Sequence, residues 1–169
     1  EDTGSRNVAV GRSALFSLNY DGNSYNVAVG YHAGYLITTG VENIIIGGTA
    51  GDALTTGSRN VVIGTYALSN ENEHGNNVAI GWKALQDQDA GADAYNVAIG
   101  YEAGKEITTG AENTIIGGRA GDALTVGDRN VAVGKSALSS ETEGDRNVAV
   151  GFSALSAQNN TSNTYSCRL

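Results

Sequence analysis

The chain has no proline, no methionine, a single cysteine and few aromatic residues. Each shortage narrows what it can be. Collagen is excluded, because its glycines would fall at every third residue and be joined by proline. One cysteine, Cys167, makes no internal disulfide, so packing and backbone hydrogen bonds must hold the fold. No stretch approaches 18 continuous apolar residues, which excludes a helical membrane span. Cations are scarce: ten Lys and Arg stand against 18 Asp and Glu, for a formal net charge of -8. That balance argues against duplex DNA or an anionic membrane surface as partner, since both need neutralising Lys and Arg. It is compatible with solubility and with a neutral or polar ligand. Without a methionine the chain is not expected to begin at its own start codon. Its opening, EDTGSRN, reads as the second half of a repeat unit, so we expect a segment of a longer repeat array.

What is abundant is glycine, with 24 residues, roughly twice the usual share. Much of it lies in an Asn-x-x-(Val/Ile)-Gly box present in nine copies. The box asparagines are Asn7, Asn26, Asn43, Asn60, Asn77, Asn96, Asn113, Asn130 and Asn147, spaced 17 or 19 residues apart. The box glycines are Gly11, Gly30, Gly47, Gly64, Gly81, Gly100, Gly117, Gly134 and Gly151. Three residues after each glycine stands an alanine, from Ala14 to Ala154, and the next residue is always Leu or Gly. A longer period overlies this: stretch 7–76 matches 77–146 at about 40 of 70 positions.

Seventeen residues cannot hold two useful helices. A short β-branched box bounded by Asn and Gly reads as a strand. Strand, turn, short segment and turn make one coil of a solenoid, whose coils stack at roughly 4.8 Å, so nine coils give a rod of about 40 Å. The fold class expected is therefore all-β, a parallel β-solenoid of about nine coils of 17–19 residues. Residues 1–157 are its repetitive part. Residues 158–169 are a non-repetitive tail or a degenerate last coil, with Asn163 as the candidate for its asparagine.

Within the box, Val8 and Val10 share one face and Ala9 points the other way. The asparagines are expected to stack at a coil corner, bonding neighbouring backbone groups and each other. Leu15, Leu68, Leu85, Leu138 and Leu155 alternate with Gly34, Gly51, Gly104 and Gly121, and each of those glycines is followed three residues later by Ile37, Leu54, Ile107 or Leu124. One large aliphatic per coil, supplied from one of two places, suits a thin core. Such a coil buries little. The mid-strand alanine offers a second apolar face, and close association of three rods is the expected remedy. Glu42 should pair laterally with Arg59, and Glu112 with Arg129.

The strings NVAVGYHAG at 26–34, NVAIGYEAG at 96–104 and ITTG at 37–40 and 107–110 resemble the head repeats of YadA-like trimeric autotransporter adhesins. They resemble even more closely the related repeats of bacteriophage tail fibre and tail spike proteins. The likeness covers residues 1 to about 155. It implies a left-handed β-roll, a homotrimer, and a structural or adhesive role in a fibre, on a virion or, alternatively, on a bacterial surface. The coil here is longer than the adhesin coil, and the last residues depart from the pattern.

Chemistry for catalysis is sparse, and the chain reads as no enzyme, with no cofactor and no metal site. His32 and His74 stand in different columns of different coils and read as exposed turn residues. Glu71, Glu73, Glu141 and Glu143, with Asp87, Asp89 and Asp93, are oxygen donors suited to calcium. They form no complete D-x-D-x-D-G loop and read as solvated turns. Tyr31, Trp82, Tyr101 and Phe152, just after box glycines, form a candidate binding surface for a host glycan or protein, or else pack along the rod. The threonine pairs 38–39, 55–56 and 108–109 motivate a further alternative, a monomeric ice- or polysaccharide-binding solenoid. The reading preferred is a structural and host-attachment segment of a phage tail fibre.

Overall fold

A computed structural model of the chain describes residues 6–159 and 166–168. Every box becomes a three-residue strand: β1 (Val8–Val10), β2 (Val27–Val29), β3 (Ile44–Ile46), β4 (Val61–Ile63), β5 (Val78–Ile80), β6 (Val97–Ile99), β7 (Thr114–Ile116), β8 (Val131–Val133) and β9 (Val148–Val150). A two-residue β10 (Cys167–Arg168) follows. The strands pair in parallel, in chain order, in one sheet. Equivalent residues face one another: Val27 lies opposite Ile44, Ala28 opposite Ile45 and Val29 opposite Ile46. No helix occurs among the described residues. The chain is an all-β parallel solenoid.

Hydrogen bonding between coils is not confined to the strands. Leu15 N–H donates to Ala33 O at 3.1 Å, Leu36 N–H to Asp52 O at 3.1 Å, and Arg59 N–H to Val41 O at 3.0 Å. The ladder therefore runs around the circumference, and each coil satisfies its neighbour's backbone as a flat sheet would. Closing so small a circuit needs sharp corners. Each coil places four residues in the left-handed backbone region: Arg6, Gly11, Ser13 and Leu15 in the first, Glu42, Gly47, Thr49 and Gly51 in the third. The box glycine is obligatory for a second reason. A Cβ on Gly81 would lie 2.2 Å from the carbonyl oxygen of Gly100 in the next coil. Coils stack here backbone on backbone.

The interior is thin. Mid-strand residues Ala28, Ile45, Val62, Ala79, Ala98, Ile115, Ala132 and Ala149 are fully buried, as are the following alanines from Ala33 to Ala137. This corrects the expected association face. The mid-strand residue points into the coil and the flanking valines and isoleucines point out. The reason is the box asparagine, whose inward side chain sets the alternation: in a strand, residues two apart share a face. The exchange between Leu and Gly columns follows from the same narrow space. Leu68, Leu85 and Leu138 are buried; at Gly34 and Gly104 a Cβ would lie 2.9 Å from Cδ1 of Ile37 and Ile107, which fill the place. The first coil departs, burying both Leu15 and Leu18.

Asparagines form a continuous internal ladder. Asn43 N–H donates to Asn26 Oδ1 at 2.9 Å, Asn60 N–H to Asn43 Oδ1 at 2.9 Å, and Asn113 N–H to Asn96 Oδ1 at 2.8 Å. Most of the side-chain amides also reach across the coil, as Asn43 Nδ2 does to Gly57 O at 2.9 Å. At the last rung Ser166 N–H donates to Asn147 Oδ1 at 3.2 Å, 19 residues on. Ser166 thus stands in the asparagine column, while Asn163 lies outside the described residues.

Two buried carboxylates reconcile coils of unequal length. In coils followed by a 17-residue coil, one turn amide bonds the next coil: Thr38 N–H donates to Thr55 O at 2.9 Å, and Thr55 N–H to Asn72 O at 2.6 Å. Before the longer coil that starts at Asn77 the partner carbonyl is displaced, and Asn72 N–H donates instead to Glu71 Oε1 at 3.1 Å. Thr142 N–H likewise donates to Glu141 Oε1, at 3.2 Å, before the coil that starts at Asn147. Both glutamates are fully buried. They are internal acceptors, which corrects their reading as solvated turns. Glu73 and Glu143 are exposed, as expected of turn residues.

Candidate functional site

Chemistry available to a partner lies on two adjoining surfaces. The first is the outer face of the sheet. Val8 and Val10, Val27 and Val29, Ile44 and Ile46, and their equivalents to Val148 and Val150 form two parallel rows of β-branched side chains, all aliphatic except Thr114. Ile44 is 42% exposed and Ile46 37%. These rows went unrecognised as a surface, although the alternation alone relates them to the asparagines. Knowing that the asparagines face inward would have revealed them.

The second surface is the arc after the strand, which carries all four aromatic candidates. The structure brings two of them together. Trp82 and Tyr101 stack with centroids 4.9 Å apart and planes 16° from parallel. Lys83 Nζ lies 4.5 Å from the Trp82 centroid, and the Arg119 guanidinium lies 5.8 Å from that of Tyr101. Arg119 Nε donates to Glu102 Oε2 at 2.8 Å, which raises the arginine's already high pKa. Tyr31 belongs to a separate run. It stacks on His32 at 3.9 Å, His32 on Tyr35 at 4.5 Å, and Tyr35 on Phe16 at 5.3 Å. Phe152 is exposed near the last described coil. Phe16 with Tyr35 and Trp82 with Tyr101 stack along the rod, because equivalent columns of parallel in-register coils repeat every ~4.8 Å, a natural stacking distance, whereas Tyr31, His32 and Tyr35 stack within one coil.

The polar candidates are mostly committed. Neither histidine is a plain exposed residue: His32 sits between two tyrosine rings, and His74 Nδ1 lies 3.4 Å from Glu71 Oε1. Of the two expected ion pairs, Arg129 meets Glu112 at 2.9 Å, whereas Arg59 donates to Asn76 Oδ1 at 3.0 Å. Hydroxyls of Thr38, Thr55 and Thr108 bond carbonyls of the following coil. Only the second threonine of each pair faces outward. Burial pushes the carboxyls of Asp52 and Asp122 above their usual pKa, and each keeps one buried oxygen without a partner. These two aspartates stand 70 residues apart, in equivalent places of the two blocks. No group of three or more His, Cys, Asp or Glu suited to a metal ion occurs among the described residues. No protein-family model, no curated protein and no solved structure matches this chain.

Proposed function

We propose that this chain is a rigid, self-associating segment of a trimeric fibre that attaches to a cell surface, as in phage tail fibres. The observation that supports this reading is the double row of β-branched aliphatics along the outer face of the sheet. It is an apolar stripe about 40 Å long, interrupted only at Thr114, of a kind that soluble monomers seldom leave uncovered. Its two-residue width and flatness suit a second and third copy packed with their rods parallel. Identical rods meeting about a closed axis bury equivalent stripes together. A structural role also fits the use of buried polar side chains. Asparagines and buried glutamates serve backbone amides, leaving few groups for catalysis. Such a segment works outside the cell, on a virion or, as the second reading, at the tip of a bacterial surface adhesin, which would use the same physics.

Light scattering on a size-exclusion column tests the proposal. A mass near 52 kDa, three times 17.3 kDa, is expected. A monomer of 17.3 kDa at micromolar concentration would overturn self-association through the stripe and favour a monomeric surface-binding rod.

A further inference from the structure

In the column that follows the box glycine, side chains succeed one another along the rod: Trp82, Tyr101, Gly118, Lys135. Trp82 covers one face of Tyr101. The opposite face therefore points along the rod to the next coil, where Gly118 contributes no side chain and the Arg119 guanidinium reaches over the ring off-centre, 5.8 Å from its centroid. A Cβ built on Gly118 meets nothing within 4 Å, so this place is open. Two coil steps separate the Tyr101 ring from Lys135, about 9.6 Å. One ring inserted midway would lie about 4.8 Å from each, an ordinary stacking distance.

The rim supplies charge. All three lysines of this acidic chain, Lys83, Lys105 and Lys135, lie on the arc that follows β5 to β8, and Arg119 lies there too. Two of these cations are committed: Arg119 to Glu102 at 2.8 Å and Lys105 to Glu106 at 3.5 Å. Lys83 sits over Trp82. Lys135 is exposed and carries no side-chain ion pair or hydrogen bond among the described residues. The equivalent place in the first block, between Tyr31 and Thr65 at Gly48, offers neither feature. His32 stacks on Tyr31, and threonine stands where Lys135 does.

We infer that the gap at Gly118 is a binding slot for an acidic pyranose, its C–H face stacked beside Arg119 on the face of Tyr101 turned away from Trp82 and its carboxylate held by Lys135. A hydrophobic ring face with one unpaired cation beside it distinguishes this ligand from a neutral sugar, which would gain the stacking alone, and from a simple anion, which would gain the charge alone. Arg119, anchored by Glu102, lies off-centre over the same ring and offers further donors to ring hydroxyls. The slot lies beside the aliphatic stripe and does not use it, so the inference stands apart from self-association.

Trp82 is the only tryptophan, and its stack on Tyr101 makes its fluorescence a direct readout. The full chain is titrated with 3′-sialyllactose, with a glucuronate-terminated disaccharide, and with lactose as the uncharged control. At least one acidic sugar should give a saturable change in the millimolar range, with lactose about tenfold weaker for want of the charged contact. Raising NaCl from about 0.05 M to about 0.5 M should weaken the acidic sugar only. Gly118→Tyr fills open space and should extend the stack without unfolding the rod, yet abolish binding. Lys135→Gln should bring the acidic sugar down to the level of lactose. Three results would each overturn the inference: no response to either acidic sugar, equal response to lactose, or unchanged binding by Gly118→Tyr. The mass of each variant, taken on the same samples, separates failure of the slot from failure of the assembly.

Discussion

Replacing Glu71 by leucine tests the account of coil-length mismatch. Leucine is the native residue of this column in the first coil, where Leu18 is buried alongside Leu15, as the new side chain would lie alongside Leu68. Size and hydrophobicity therefore suit the column, and a reading based on packing alone expects stabilisation. The hydrogen bonds say otherwise. Glu71 Oε1 accepts from Asn72 N–H and His74 N–H, each at 3.1 Å, and Oε2 accepts from Ala90 N–H at 3.1 Å and Gln88 Nε2 at 3.2 Å. Water can replace the acceptor for the two part-buried amides. It cannot reach the donors of Ala90 and Gln88, whose bonds are buried. Losing two buried bonds to a charged acceptor costs about 3–6 kcal/mol. Burying an apolar side chain and removing a desolvated carboxylate returns about 2 kcal/mol. The net expectation is a loss of about 1–4 kcal/mol. Urea unfolding followed by Trp82 fluorescence measures it in the adjoining coil, where a repeat array reports local stability. The decisive comparison is a cycle with deletion of Gly91 and Ala92, two exposed residues of the long turn. Shortening that coil to 17 residues should restore the partner carbonyl and make Glu71→Leu much less costly, a coupling above about 1 kcal/mol. An unchanged midpoint for Glu71→Leu, or strict additivity in the cycle, would refute the reasoning.

Three further outcomes follow from other parts of the molecule. Gly81→Ala drives a Cβ into the Gly100 carbonyl and should prevent cooperative folding of the neighbouring coils, whereas Gly118→Ala, in open space, should leave the urea midpoint unchanged; circular dichroism separates the two. Ile46→Lys with Ile63→Lys places charge on the outward rows and should reduce the mass to 17.3 kDa with the β-sheet spectrum retained. Asp52 has a pKa raised by burial above its ordinary 3.8, so the folded chain binds more protons in that range and the charged carboxylate weakens the fold above its raised pKa. Asp52→Asn should therefore raise the melting temperature at pH 7, and the gain should vanish as the pH falls toward about 3.5.

The architecture was legible because it is written as a period. Nine boxes at spacings of 17 and 19 admit only a stacked coil, and the reciprocal Leu and Gly columns already told of a core with room for one large side chain. The Trp82–Tyr101 stack could likewise be placed from the repeat, since equal columns in adjacent coils must meet. Which side of the strand faces inward was another matter. Alternation yields two faces and no sign: valines in and alanine out satisfies the pattern as well as the reverse. The sign came from the asparagine ladder, which needs an interior free of water to link eight coil steps through one column of amides. Glu71 and Glu141 were illegible for a similar reason. A glutamate in a polar turn is ordinarily solvated, and only the displaced carbonyls of a longer neighbouring coil make it a buried acceptor. The openness of the Gly118 site, too, is a property of three consecutive coils and not of its own. The repeat by itself determined the fold and the neighbours of each residue along the rod. The tertiary structure decided inside from outside, and which polar groups are already satisfied, because both depend on backbone groups that lie one coil away.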